Sequence, residues 1–141
     1  AGPHGSFGKE ILKSERPAIW VAGGIGVTPF FNLASYFASN KMNKDFTFYY
    51  ATSEQDKLFH PLLLNYAEVV GFNYSYNCSA TSERLSADTV IGKLSAHPAN
   101  FNYFLCGPRG LLLSFITSLV AAGVPHTQIF TEDFDFKSQE I

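Results

Sequence analysis

The sequence is short of cysteine and has almost no excess of charge of either sign. Its 141 residues include two cysteines, Cys78 and Cys106, which are too few and too far apart for a disulfide framework or a Cys-x-x-Cys metal site. A reducing compartment, the cytoplasm, is therefore expected. Ten basic against twelve acidic residues give a net charge of -2, which offers no field for a phosphate backbone, so nucleic acid is not an expected partner.

Long apolar runs and grouped metal ligands are also missing. No run approaches the ~20 residues that span a bilayer, and no basic region followed by an apolar one opens the chain, so direct membrane insertion is not expected. The histidines, at positions 4, 60, 97 and 126, have no metal-ligand spacing. A Gly-x-Ser-x-Gly elbow is absent, which leaves hydrolase chemistry without support.

What the sequence does have is an alternation of apolar runs and amphipathic segments. A hydrophobic content of 46% and a mass of 15.6 kDa are typical of one globular domain. The first 16 residues, rich in glycine and proline and then in charge, predict an irregular connector. Strands are predicted at 18–22, 46–52, 72–78, 101–106 and 128–134, with helices at 29–39, 58–70, 87–94 and from Pro108 to the stop signals at Gly123 and Pro125. Five strands alternating with four helices predict an α/β fold with a parallel, doubly wound sheet.

The carboxyl end of the first predicted strand carries a glycine-rich turn, and ligands of open parallel sheets bind at such ends. The turn reads Gly23-Gly24-Ile25-Gly26-Val27-Thr28-Pro29, in which Thr28 is predicted to cap the next helix and Pro29 to be its first residue. Glycines let the backbone approach a ligand and a helix start favours an anion, so a phosphate or pyrophosphate is predicted here. A tight turn without ligand is the alternative, because Pro29 replaces the third glycine of Gly-x-Gly-x-x-Gly and no acidic residue ends the second strand.

Two further strand ends carry reactive or polar side chains. Cys106-Gly107-Pro108 forms a second glycine turn before a helix, and two facing helix starts can hold one dinucleotide. The alternative for Cys106, taken alone, is a small buried hydrophobic residue without a functional thiol. Glu132 and Phe134 lie on one side of the last strand, where a carboxylate suits polar chemistry and a ring can stack on a planar ligand. A terminal strand with alternating charge and core aromatics is the alternative for this pair.

These three strand ends, in this order and spacing, resemble the NAD(P)H-binding domain of the ferredoxin reductase superfamily of flavoenzymes. The matching motifs are Gly-Gly-x-Gly-x-Thr-Pro at 23–29, Cys-Gly-Pro at 106–108, and the carboxylate and aromatic at Glu132 and Phe134. The resemblance implies that the first turn cradles the pyrophosphate, that Cys106 and Glu132 orient the nicotinamide, and that Phe134 covers the flavin where the nicotinamide must enter.

The opening residues resemble another part of the same family. Gly2-Pro3-His4-Gly5-Ser6-Phe7 is similar to the Gly-Pro-x-Gly-x-Phe segment that closes its flavin-binding barrel. We therefore expect residues 1–16 to be a barrel remnant plus connector and residues 17–141 to be the NAD(P)H-binding domain. The barrel's Arg-x-Tyr-Ser motif has no match here, so FAD is expected in an upstream domain of a longer parent.

Several short segments look most like bacterial ferric-reductase-like membrane flavoproteins, relatives of the NADPH oxidases. They are Tyr49-Tyr50 with Leu58-Phe59, residues 84–88 and the Glu-Asp-Phe-Asp-Phe ending. A parent of that kind adds a transmembrane haem domain upstream and places this domain at the cytoplasmic face of the membrane.

The choice between NADP and NAD depends on residues after the second and third strands. A 2′-phosphate is best met by Arg or Lys together with hydroxyls. The second strand ends in Thr52-Ser53 without an arginine, whereas Ser79, Thr81, Ser82 and Arg84 follow the third strand. Arg84 is either part of a phosphate pocket or a solvated charge beside a helix. We interpret the sequence as slightly favouring NADP over NAD.

The resemblance implies an NAD(P)H-dependent flavin oxidoreductase that passes hydride from nicotinamide to FAD and electrons on to an acceptor. This fragment alone would be inactive or weakly active. The alternative is a non-catalytic pyridine-nucleotide-sensing module that keeps the glycine turn but never meets a flavin, and the Gly-Pro-His-Gly-Ser-Phe remnant argues against it.

Overall fold

Strands and helices alternate along residues 6–133, the part of the chain that the structure, a computed structural model, describes. The strands are β1 Ala18–Gly23, β2 Phe46–Thr52, β3 Asn73–Cys78, β4 Asn102–Gly107 and β5 Ile129–Asp133. The helices are α1 Ser6–Lys13, α2 Thr28–Ser39, α3 Phe59–Val70, α4 Ala87–Gly92 and α5 Arg109–Ala121. Short 3-10 turns lie at Gly24–Val27, Pro98–Asn100 and His126–Gln128.

All five strands are parallel and form one sheet in the order β3-β2-β1-β4-β5, which confirms the predicted doubly wound α/β fold. The chain builds outward from β1 to the β3 edge and then crosses back to place β4 on the other side of β1. The strand order therefore reverses between β1 and β4. This reversal brings the two glycine turns that follow β1 and β4 side by side at the carboxyl edge of the sheet.

Both faces of the sheet are covered by helices, which explains why β1 is apolar throughout and why every residue of β4 is buried. Trp20 and Ala22 point to the layer formed by α1, α2 and α3, whereas Ile19 and Val21 point to the layer of α4 and α5. The Trp20 ring is fully buried and stacks on Phe46 with 3.8 Å between ring centroids. Alternating side chains thus give the domain two separate apolar layers.

Helix α1 occupies residues that the sequence predicted as an irregular connector, so that prediction was wrong for Ser6–Lys13. Phe7 and Ile11 are one helical turn apart, and both are buried. The ring of Phe7 meets Phe30 and Phe104 edge-on, at centroid distances of 5.3 and 5.9 Å. An eight-residue helix is marginal by itself, so packing against α2 and β4 stabilises it.

The two glycine turns touch through their backbones. A Cβ atom on Gly26 would fall onto the carbonyl oxygen of Cys106 and within 2.8 Å of the Gly107 Cα. On the other side of the contact, a Cβ on Gly107 would lie 3.2 Å from the backbone N and O of Gly23. Backbone atoms of a central strand cannot rotate away, so only glycine is accommodated at Gly26.

We predict that Gly26→Ala lowers the free energy of unfolding by about 3 kcal/mol, because the added methyl group forces the first turn away from β4. Urea denaturation followed by circular dichroism measures the change. Gly92→Ala is the control, since its Cβ at the end of α4 would meet no atom within 4 Å, and it should change stability by less than about 0.5 kcal/mol. Equal effects of the two substitutions would contradict the backbone contact.

Candidate functional site

A cavity of about 290 Å³ lies at the carboxyl edge of the sheet, beside the point where the strand order reverses. Glycines, hydroxyls, an amide, a guanidinium and a few apolar side chains line it: Gly23, Gly24, Ala51, Thr52, Ser53, Asn77, Ser79, Arg84, Leu85, Pro108 and Leu111. Arg84 is the charged residue among them. The structure therefore gathers residues from both glycine turns and from the ends of β2 and β3 around one space.

Gly24 provides the bare backbone at this cavity. Its φ of +56° lies in the left-handed region, and no atom comes within 4 Å of the position that a Cβ would take. A ligand can thus approach the main chain closely at Gly24. Gly26 and Val27 are buried behind the turn and support it without lining the cavity.

Two helices begin at the turns with no side-chain cap. At α2, Val27 occupies the N-cap position with a helical φ of -69°, so Thr28 is already the first helical residue. The prediction that Thr28 caps this helix was wrong: the 3-10 turn runs straight into α2, and the Thr28 hydroxyl donates to the Ile25 carbonyl oxygen instead, at 3.2 Å. Pro108 precedes α5, also without a side-chain cap. Neither N-cap residue provides a side-chain cap, and helix starts favour anions; at α2 the Thr28 N–H donates to the Ile25 carbonyl oxygen, so the bare backbone lies one turn earlier, at Gly24.

The end of β2 is held by hydrogen bonds among side chains of β2, β3 and the turn before α3. Thr52 Oγ1 lies 2.6 Å from Tyr76 Oη, which also accepts the Asp56 N–H at 2.8 Å. The Tyr50 hydroxyl donates to Asp56 Oδ2 at 2.7 Å. The His60 ring stacks on Tyr76 with 3.9 Å between centroids. Thr52 at the cavity is thereby tied to Asp56.

The Asp56 side chain caps the N-terminus of α3. Its carboxylate accepts the backbone N–H groups of Leu58, Phe59 and His60 at 2.9, 3.1 and 3.0 Å. Burial raises the pKa of Asp56, but the hydrogen bonds from Tyr50 and from these three N–H groups outweigh burial and hold that pKa below its ordinary value. Asp56 is therefore held as the charged carboxylate near neutral pH.

Cys106 and Glu132 meet on neighbouring strands, on the side of the sheet that α1 covers. They are directly paired in the register of β4 and β5, with 4.0 Å between Cys106 Sγ and Glu132 Oε2. Cys106 is fully buried, whereas Glu132 is partly exposed. An ion pair of 2.9 Å between Arg109 Nε and Asp133 Oδ2 joins the start of α5 to the end of β5. Phe134, predicted to lie with them, is outside the described residues.

Eight of the predicted site residues that the structure describes do not line the cavity: Gly26, Val27, Thr28, Pro29, Ser82, Cys106, Gly107 and Glu132. Gly107 packs on Gly23, and Ser82 donates its hydroxyl to the Cys78 carbonyl oxygen at 2.9 Å. The wall residues that were not predicted are Ala51, Asn77, Leu85 and Leu111. Asn77 could have been found from the strand register, because it pairs with Ala51, the residue just before Thr52.

Comparison with known proteins shows what the chain is similar to. It is 26% identical over 136 residues to a flavohemoprotein of Xylella fastidiosa, covering 90% of this chain and 34% of that protein. The crystal structure of flavohemoglobin from Malassezia yamatoensis with bound FAD and heme superposes with a TM-score of 0.74 at 25% identity, over 89% of this chain and 34% of that one. The FAD/NAD binding domain of nitric oxide dioxygenase from Vibrio cholerae gives a TM-score of 0.69 at 21% identity, over 86% and 52% of the two chains.

The predicted resemblance to the nucleotide-binding domain of ferredoxin reductases is confirmed by these similarities and by matches to reductase and electron-transfer components of oxygenases. No family model matches the chain. The chain spans about a third of the length of the flavohemoprotein it matches. Within residues 6–133, none of the helices has the length and apolar character needed to cross a bilayer.

We predict that Asp56→Asn lowers the free energy of unfolding at pH 7 by about 1 kcal/mol, because the charged cap of α3 is lost. A carboxyl group whose pKa is lower in the folded than in the unfolded protein stabilises the fold at pH values above its unfolded-state pKa, which is about 4 for Asp. This stabilisation is lost as the pH falls through the folded-state pKa. The gap between wild type and variant should therefore narrow below about pH 4, as measured by urea denaturation across pH. Asp88→Asn, in the exposed first turn of α4, is the control and should cost less than about 0.5 kcal/mol. A gap that stays constant down to pH 2 would contradict the charged cap.

Proposed function

We propose that the chain is the NAD(P)H-binding domain of a flavin-dependent oxidoreductase, which passes hydride from the nicotinamide to FAD and electrons on to an acceptor. The observation that carries the proposal is the bare Gly24 backbone at a cavity flanked by two helix starts without side-chain caps. The similarity to a flavohemoprotein and to the crystal structure of an FAD/NAD binding domain supports it. Because the chain covers a third of that flavohemoprotein, the upstream flavin domain is part of the proposal.

The predicted residues are assigned to three parts of a dinucleotide, two of them at the cavity and the third at the β4–β5 pair. The turn from Gly23 to Pro29, together with Gly107 and Pro108, would hold the pyrophosphate, since N–H groups at helix starts stabilise negative charge. Thr52 and Ser53 would contact the ribose at the adenosine end. Cys106 and Glu132 would orient the nicotinamide, and Phe134 would cover the flavin.

The nicotinamide supplies the hydride, and the protein positions the nicotinamide and excludes water from the reacting atoms. The residues of this chain would hold donor and acceptor carbons within about 3 to 3.5 Å of each other. Cys106 lies in the apolar core that α1 covers, and beside it the partly exposed Glu132 carboxylate offers an acceptor for a polar group. No side chain needs to form a covalent intermediate.

NADPH is the proposed form of the cofactor. Among the described residues of the cavity wall Arg84 is the charged one, and the hydroxyl-bearing residues Thr52, Ser53 and Ser79 belong to the same wall. A guanidinium with hydroxyl donors suits a doubly charged 2′-phosphate. Ser82, predicted as a direct contact, would act through the loop that carries Arg84.

The remaining parts of the parent also belong to the proposal. Residues 1–16 would include the end of the flavin barrel, although α1 packs on the same core as the sheet. The ferric-reductase-like acceptor, the upstream membrane haem domain and the cytoplasmic location stay predictions from the sequence.

We predict that Gly24→Val weakens the binding of NADP⁺ to the chain at least tenfold in isothermal titration calorimetry, or about 1.4 kcal/mol, because its side chain fills the space meant for the pyrophosphate. Gly71→Val is the matched control. Gly71 also has a positive φ, +98°, with open space around its Cβ position, but it ends α3 away from the cavity. It should lose stability and keep its affinity.

Two outcomes count against the proposal. If Gly24→Val keeps its affinity with an intact circular dichroism spectrum, the first turn is not part of the site. If the wild-type chain binds neither NADP⁺ nor NAD⁺ at millimolar concentration, the proposed function is wrong.

A further inference from the structure

We propose that Asn77 is a positioning residue for the 2′-phosphate end of the nucleotide: it holds the backbone beside Arg84 so that the guanidinium is aimed at the cavity. This inference rests on the proposed function and extends it to a residue at the cavity wall. It concerns the choice between NADPH and NADH.

The contact runs from the side chain of Asn77 to the loop that joins β3 to α4. Asn77 Nδ2 donates to the Glu83 carbonyl oxygen at 2.9 Å and lies 3.5 Å from Ser82 Oγ. If the amide were flipped, Asn77 Oδ1 would lie 2.9 Å from the Glu83 carbonyl oxygen, and two acceptor oxygens at that distance repel each other. The Nδ2 end of the amide therefore faces the loop. The Glu83 carbonyl belongs to the peptide unit that leads into Arg84, so the bond restrains Arg84 at its backbone.

The first half of the loop is tied down independently of Asn77. The Ser79 N–H donates to the Thr52 carbonyl oxygen at 2.9 Å, and the Ser82 N–H donates to the Cys78 carbonyl oxygen at 3.0 Å. Residues 83–85 join Ser82 to Ser86, the cap of α4. Among the described residues, the bond from Asn77 to the Glu83 carbonyl oxygen is the only hydrogen bond to the backbone of this segment. The segment that carries Arg84 therefore depends on Asn77.

The other end of the Asn77 amide points to a role other than packing. Asn77 Oδ1 is buried without a hydrogen-bond partner, an arrangement that works against folding. An apolar side chain of similar volume would avoid that penalty. Stability alone does not explain an asparagine here, whereas a donor for the Glu83 carbonyl does.

The consequence is selective for phosphate. Arg84 is exposed and its long side chain has many rotamers, so an unrestrained backbone would spread its charge over a wide volume. A 2′-phosphate needs the guanidinium at one place, whereas a 2′-hydroxyl needs no positive charge. Loss of Asn77 should weaken phosphorylated ligands and leave the others nearly unchanged.

The test titrates the chain with 2′,5′-ADP and with 5′-AMP by calorimetry. Asn77→Leu should weaken 2′,5′-ADP about tenfold and 5′-AMP less than about twofold. Asn73→Leu, an exposed asparagine at the opposite end of β3, is the matched control and should change neither affinity. In the double variant Asn77→Leu/Arg84→Ala, the loss for 2′,5′-ADP should be no larger than for Arg84→Ala alone, because Asn77 acts through Arg84.

Each result decides something specific. Equal losses for both ligands, no loss for either, additive losses in the double variant, or a wild type that binds both ligands equally would overturn the role of Asn77. A wild type that binds neither ligand would instead overturn the proposed function. Should Asn77→Leu not fold, NMR of the wild type decides: the Asn77 side-chain amide protons should shift with 2′,5′-ADP and not with 5′-AMP, and equal behaviour with the two would overturn the inference.

Discussion

The site depends on one contact, the backbone-to-backbone packing of the two glycine turns where the strand order reverses. Gly26 lies against the carbonyl of Cys106, and Gly23 lies against Gly107, with no room for a side chain between them. This approach places the starts of α2 and α5 at the same edge of the sheet. Without it, the two helix starts could not converge on one anion.

The parallel register distributes the other functional side chains on either side of this contact. On one side, β1 pairs with β2 and β2 with β3, which brings Thr52 and Asn77 to the wall of the cavity. On the other side, β4 pairs with β5, which sets Cys106 beside Glu132. A dinucleotide that crosses the contact would have its adenosine end on the first side and its nicotinamide on the second. The side chains suit those ends: the Arg84 guanidinium lies at the adenosine end, and the buried Cys106 thiol lies beside the Glu132 carboxylate at the nicotinamide end.

Periodicity was enough to predict the strands and the doubly wound fold, because β1 is apolar throughout, β3 alternates tyrosine with polar residues, and the helices between the strands are amphipathic. Helix α1 escaped prediction because it depends on Phe7 packing against Phe30 and Phe104, residues distant in sequence. The role of Asn77 was not predicted because its partner is a main-chain carbonyl, which leaves no trace in the sequence; only its place at the cavity could have been inferred, from the register of β2 and β3. Thr28 was misplaced by one position because the 3-10 turn before α2 already has helical backbone angles.

The central claim is that the two turns form one dinucleotide site, and an NMR titration of the ¹⁵N-labelled chain with NADP⁺ tests it most directly. We expect the backbone amide signals of Gly24, of the first turn of α2 and of the first turn of α5 to shift together with a single dissociation constant. Amides in α3, on the far side of the β2 end, should shift little. Shifts confined to one of the two turns, or centred away from both, would contradict the account.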